Sequence, residues 1–284
     1  MVYRDIRFGV EAGVALIELD RPESMNAFTG QMGQELSEAY RYCDTHDEVR
    51  VVVLTGVGEA FCVGADMSSG AETFQNQKDA MPEFSASPVS MPAFEVRKPI
   101  IAALNGHAVG LGLTLALQCD LRFVAREGRY GVLQVRRGVM PDALSHWTLP
   151  RQVGMARAAD ILLTGRKFDG LEAVELGIAS RALPAADVLF EAMATAREMA
   201  TQTAPLSVAL TKKLLWQSGT LTASETEHAE TELHHHLMGK EDAVEGVMAF
   251  LERRTPRWTS SVQDDWPEWP EFPANRDGKS SVKE

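Results

Sequence analysis

The chain has 284 residues, of which 45% are hydrophobic and 24% charged, and its formal net charge is −12. That length buries most of the apolar surface an unfolded chain exposes, so a core forms without staples. The excess of negative charge excludes nucleic acid and anionic membrane as partners, because both repel a surface of their own sign.

Three cysteines, Cys43, Cys62 and Cys119, form no CxxC pair, which argues against a disulfide framework or a zinc site and for a reducing cytoplasm. No stretch reads as a secretory leader or as a membrane span, so neither export nor insertion is expected. Two strand-like runs open the chain, residues 6–10 and 14–19, with Glu11-Ala12-Gly13 as the hairpin turn between them. Met32, Leu36, Ala39 and Tyr40 then recur at helical spacing behind Thr29, a residue type suited to cap a helix N-terminus. Residues 49–55 are almost all apolar and β-branched, the composition of a parallel strand covered on both faces. Strand, helix and strand in that order predict a right-handed crossover.

The unit recurs as an apolar strand at 100–104, an apolar helix at 110–118 and a short strand at 121–125. Between the two units, residues 68–97 are rich in Ser, Pro, Met and Gln, with Pro82, Pro88 and Pro92 interrupting any regular element, and read as a flexible flap. Beyond Asp142 helices are expected at 145–151, 155–164, 170–176 and 187–201, with an extended piece at 180–183. Residues 205–217, 222–238 and 241–254 form a helical tail with amphipathic stretches suited to packing against partner subunits. Lys212, Lys213, Arg253 and Arg254 within it read as solvated surface. Trp258, Trp266 and Trp269 lie in a segment expected to drape over the surface, and 275–284 are expected to be disordered.

Three segments carry the chemistry. In the first, a buried strand runs through Gly56-Val57-Gly58 to Cys62-Val63-Gly64-Ala65-Asp66, where backbone amides can face a ligand. A dinucleotide site is excluded by the missing third glycine, and a phosphate loop by the absence of any GK[ST]. The second, Asn105-Gly106-His107-Ala108-Val109-Gly110-Leu111-Gly112, is a strand that breaks at glycines and enters an apolar helix. The third runs from Tyr130-Gly131-Val132-Leu133-Gln134 through Val139-Met140-Pro141-Asp142 to His146.

In order and spacing these segments resemble the signatures of the crotonase (enoyl-CoA hydratase/isomerase) family, over residues 6–254. The resemblance implies an α/β crotonase fold: a repeated ββα spiral with two roughly perpendicular sheets in a core at 1–203. It implies a helical trimerisation region at 204–256, in a homotrimer or a dimer of trimers, ahead of a Trp/Pro-rich tail at 257–284. It also implies an acyl-CoA thioester as substrate and no cofactor beyond the coenzyme A that the substrate carries.

By the same resemblance the Ala65 and Leu111 N–H groups stabilise the oxyanion that forms on the thioester, with Gly64, Gly110, Cys62, Asp66, Thr114, Gln134 and His146 around the pocket. Leu111 departs from the glycine run usual there. Two-glutamate hydratases of the family carry carboxylates where this chain has Thr114 and Gln134, and neither a hydroxyl nor an amide is a general base near neutral pH. Asp142 sits where the family's dienoyl-CoA and ring-enoyl-CoA isomerases carry a catalytic aspartate, and one carboxylate suffices for an allylic shift. The residues alone also allow Asp142 to cap the helix that follows it. Loss of both glutamates leaves open a non-catalytic acyl-CoA-binding protein, an atypical hydratase and a thioester hydrolase.

Overall fold

A computed structural model describes residues 2–70, Thr73 and 85–271. Strands β1 (Ile6–Glu11) and β2 (Val14–Leu19) form the expected antiparallel hairpin. Helix α1 (Gly30–Thr45) starts where the Thr29 hydroxyl accepts the Met32 N–H at 3.0 Å, one of the donors a helix start leaves unpaired. The chain then crosses to β3 (Val51–Gly56), which pairs parallel with β2. Parallel strands β5 (Ile100–Leu104), β7 (Leu121–Ala125) and β9 (Arg181–Leu183) complete a six-stranded sheet in the order β1-β2-β3-β5-β7-β9.

Each of β3, β5 and β7 hands the chain to a second sheet before the next return. That sheet consists of β4 (Ala60–Cys62), β6 (His107–Val109) and β8 (Tyr130–Gly131). Period-two alternation along β3 divides the core. Val52 and Leu54 join the Met32 and Leu36 side chains of α1, whereas Val51 and Val53 join Val188, Ala192 and Ala196 of helix α6 (Ala185–Gln202). Burying a Val or Leu side chain in this way contributes roughly 1.5–3 kcal/mol. Helices α2 (Leu111–Ala116), α3 (Ser145–Val153), α4 (Met155–Thr164) and α5 (Gly170–Leu176) surround the strands, and α7 (Pro205–Gln217), α8 (Ala223–Met238) and α9 (Glu241–Glu252) form the C-terminal helical region.

Three expectations need correction or qualification. The small sheet was not read as strands, because two or three residues are too few to show a period. The flap expected at 68–97 is packed along its returning limb: Val89, Ala93 and Val96 are buried, and the Ser90 N–H donates to Ser37 Oγ at 2.9 Å. Residues 71–72 and 74–84 of that expected flap lie outside the described residues. Lys212 is not solvated surface. Only 5% exposed, its ammonium meets Asp120 at 2.8 Å and donates to the Ala93 and Lys98 carbonyls, each at 2.9 Å.

The segment after α9 does lie along the surface. Trp258 Nε1 donates to the Thr201 carbonyl at 3.1 Å, and Val262 is buried. Trp266 and Trp269 stack at 6.2 Å, with the Lys213 ammonium 4.1 Å from the Trp269 ring centre. Residues 275–284, expected to be disordered, lie outside the described residues.

Candidate active site

The site forms where two neighbouring strands of the small sheet stop. β4 pairs with β6 in parallel, and just beyond their ends the chain turns at Gly64 (φ +94°) and Gly110 (φ +54°), backbone that L side chains rarely adopt. A Cβ on Gly64 would lie 3.0 Å from the Val109 carbonyl and 3.7 Å from the Leu111 nitrogen, so glycine lets the two turns meet. The Phe28 N–H donates to the Gly64 carbonyl at 2.7 Å and the Asp66 N–H to the Phe28 carbonyl at 2.9 Å. This bridge leaves the Ala65 N–H out of the pairing. The Leu111 N–H, in the first turn of α2, likewise donates to no carbonyl among the described residues. Ala65 and Leu111 line one cavity of about 50 Å³ with Gly64, Gly110, Gln134 and Asp142. Two unpaired amides on a shared wall are suited to a developing oxyanion.

Asp142 follows the 3₁₀ turn Gln134–Arg137 and precedes α3. Thr114 Oγ1, on the fully buried α2, and Gln134 Nε2 each donate to Asp142 Oδ1 at 2.9 Å. Burial pushes the Asp142 carboxyl above its ordinary value. The hydrogen bonds from Thr114 and Gln134 and the proximity of His146 pull the other way without cancelling the shift. The capping alternative fails on geometry, because α3 begins at Ser145 with no side-chain cap and the Asp142 carboxylate is committed to Thr114 and Gln134. Ala143 (φ 46°) and Leu144 (φ 61°) adopt left-handed backbone directly after it. Ala143 is held there by its N–H on the Ala86 carbonyl and by Gln118 Nε2 on its own carbonyl, both at 2.8 Å. Consecutive non-glycine residues in that region store strain that surrounding structure has to enforce.

Four residues expected around the pocket are not on the cavity wall. Cys62 is fully buried in the core, and burial pushes its thiol up to about 12, a value that leaves almost no thiolate near neutral pH. Asp66 is occupied elsewhere: hydrogen bonds from Ser68 and the Arg21 guanidinium at 2.9 Å hold its carboxyl below the usual range. His146 is exposed on α3. Thr114 stands behind Asp142 rather than on the wall.

Met67, Leu133, Arg137 and Val139 do line the cavity and carry no signal in the sequence, where apolar residues beside signature positions look like ordinary core and a lone arginine like solvated surface. Volume does not locate the chemistry. A cavity of about 550 Å³ lies elsewhere, walled by Phe94, Trp147, Trp216 and Trp266, and its Asp44 is already paired with Arg97 at 2.8 Å.

A family model described as enoyl-CoA hydratase/isomerase matches residues 9–261. The chain belongs to the enoyl-CoA hydratase/isomerase family. A probable enoyl-CoA hydratase of Rhodobacter capsulatus is 37% identical over 260 residues, which cover 91% of this chain and 99% of that relative. The crystal structure of a probable enoyl-CoA hydratase/isomerase from Mycobacterium abscessus is 51% identical with a TM-score of 0.86, covering 90% of this chain and 99% of that one. An enoyl-CoA hydratase from Bacillus anthracis superposes with a TM-score of 0.82 at 28% identity, covering 90% and 99%. Membership bears out the fold read from the three signatures. At its site this chain holds a carboxylate hydrogen-bonded to an alcohol and an amide.

Proposed function

We propose that this enzyme shifts a carbon–carbon double bond in an enoyl-CoA thioester, with Asp142 as the single acid/base and the Ala65 and Leu111 N–H groups holding the thioester oxygen. One observation carries this reading: Asp142 Oδ1 lies 2.9 Å from both Thr114 Oγ1 and Gln134 Nε2. The positions that bear glutamates in two-glutamate hydratases thus spend their protons on Asp142, and neither can take a proton from water.

In the proposed reaction Asp142 removes an allylic proton. The electron pair delocalises through the double bond onto the thioester oxygen, where the two amides stabilise it. Asp142 then returns the proton at the far carbon, so no water is consumed. A carboxyl raised by burial suits both halves of this exchange, because it holds the proton more firmly than an exposed aspartate does. The reaction calls for no cofactor beyond the coenzyme A moiety of the substrate.

Self-association as a homotrimer or a dimer of trimers is supported by the apolar side chains that α9 exposes, among them Val244, Val247, Phe250 and Leu251. Three buried, unpaired cysteines suit a reducing cytoplasm, and no helix among the described residues is long and apolar enough to cross a membrane.

Hydration is the second reading, favoured by the names of the relatives. The deciding experiment incubates the protein with 2-enoyl, 3-enoyl and ring-enoyl CoA thioesters in deuterated water and follows the products by mass spectrometry. A shifted double bond carrying deuterium is expected. Gain of one water makes the enzyme a hydratase, release of free thiol makes it a hydrolase, and binding without turnover makes it an acyl-CoA-binding protein.

A further inference from the structure

Thr114 and Gln118, four residues apart at the end of α2, both reach the segment that carries Asp142. Thr114 Oγ1 donates to the Asp142 carboxylate, and Gln118 Nε2 donates to the carbonyl of the next residue, Ala143, at 2.8 Å. Gln118 is 1% exposed and uses its other amide atom as well: Oε1 accepts the Ala93 N–H at 3.3 Å. An N–H on one side and a carbonyl on the other fix the amide orientation. Turning the group over would set donor against donor and acceptor against acceptor.

Ala93 belongs to the limb at 86–96 that leads back to β5, and that limb is itself anchored. Val89, Ala93 and Val96 are buried, and the Ser90 N–H donates to Ser37 Oγ of α1. The Ala86 carbonyl accepts the Ala143 N–H at 2.8 Å. Ala143 thus has its N–H on the limb and its carbonyl on a side chain that the same limb holds. These bonds keep it at φ 46°, a conformation in which any side chain beyond glycine is strained.

We propose that Gln118 is a positioning residue: by pinning Ala143 in left-handed backbone against the limb at 86–96, it aims the Asp142 carboxylate at the substrate. This rests on the reading of Asp142 as the acid/base. Loss of the Gln118 amide frees Ala143 to return to negative φ, which swings the peptide after Asp142 and draws Oδ1 off Thr114 and Gln134. Gln118 is not on the cavity wall, so substrate binding does not use it. The loss falls on the chemical step, where a shift of about 1 Å costs up to about a hundredfold.

The test compares the wild type with Gln118→Met, which keeps a side chain of similar size and removes both donor and acceptor. On an enoyl-CoA thioester that the wild type turns over, kcat is expected to fall about tenfold to a hundredfold with acyl-CoA affinity unchanged. The acid limb of kcat/KM should move to higher pH, because the bonds that favour the ionised carboxylate are weakened. Adding Ala143→Gly should recover most of the lost rate, since glycine takes positive φ without steric cost. Gln152→Met is the control for loss of a buried amide alone: Gln152 Nε2 donates to the Leu117 carbonyl at 2.7 Å, and its rate and pH profile should match the wild type. A wild-type pH profile in Gln118→Met, or a rate that Ala143→Gly leaves unrecovered, overturns the proposal. Should Gln118→Met fail to fold, Gln118→Asn draws the amide back by one methylene and should give the same changes in smaller measure.

A crystal structure of Gln118→Met reads the placement whatever the enzyme catalyses. Ala143 at negative φ and Asp142 Oδ1 withdrawn from Thr114 are expected, and both in their present places would end the role of Gln118. If the wild type hydrates enoyl thioesters or turns over none, the isomerase reading falls, and the crystal structure still decides for or against Gln118.

Discussion

Asp120 and Asp142 are both partly buried carboxylates at the edges of the short helix α2, and their partners differ in kind. Asp120 meets the Lys212 ammonium at 2.8 Å and accepts the Ile100 N–H and Trp216 Nε1, both at 2.7 Å. Asp142 accepts only neutral side-chain donors, Thr114 and Gln134. A buried positive charge compensates a buried negative one, so the Asp120 group holds structure together around α7. Neutral donors repay only part of the lost solvation, so Asp142 keeps its proton to higher pH and remains chemically poised. The contrast also shows in the backbone, since only Asp142 precedes two left-handed non-glycine residues. Two carboxylates of similar burial therefore differ by the charge of what surrounds them, and the proposed chemistry rests on that difference.

The contrast is most directly broken at Asp142. Asp142→Asn keeps an acceptor for Thr114 and is expected to lower kcat by about 10²–10⁴-fold while leaving acyl-CoA affinity in place. Single-turnover kinetics and calorimetry check the two halves, and parallel losses of rate and affinity would assign Asp142 to binding instead.

At the structural pair the loss should appear in stability. Lys212→Met leaves Asp120 buried without its cation and is expected to cost about 3–5 kcal/mol in urea unfolding, with turnover per folded molecule unchanged.

A smaller effect concerns pH. Turnover should rise with pH through the Asp142 ionisation, which lies above the ordinary 3.8, because in the proposed reaction the base form removes the first proton. Thr114→Val removes a bond that favours the carboxylate and should move the acid limb of the kcat/KM profile to higher pH. The linkage has the opposite sign for folding. The folded state binds the proton more tightly than the unfolded one, so the stability linked to Asp142 falls as pH rises from the unfolded value through the raised one. Asp142→Asn is then expected to melt no lower than wild type at neutral pH.

The smallest effect is local. Leu144→Gly relieves left-handed strain at a residue that is 39% exposed, and should raise stability by roughly 0.5–1 kcal/mol in thermal unfolding.

The hairpin, the capped helix α1, the apolar strands β3 and β5 and most of the later helices were legible in the residue pattern. So was the order of the three signatures, with Thr114 and Gln134 as residues that carry no carboxylate. These depend on interactions within a few residues or on the identity of a single one: alternation, helical spacing, a cap, a glycine at a turn. Folding in three dimensions was needed to show that two- and three-residue strands form a second sheet, that Cys62, Asp66, Thr114 and His146 stand off the cavity wall, and that Lys212 is buried. It alone showed that Asp142 is no helix cap. The reason is sequence distance: Thr114 meets Asp142 across 28 residues and Lys212 meets Ala93 across 119, and local patterning carries no record of which donors folding brings together.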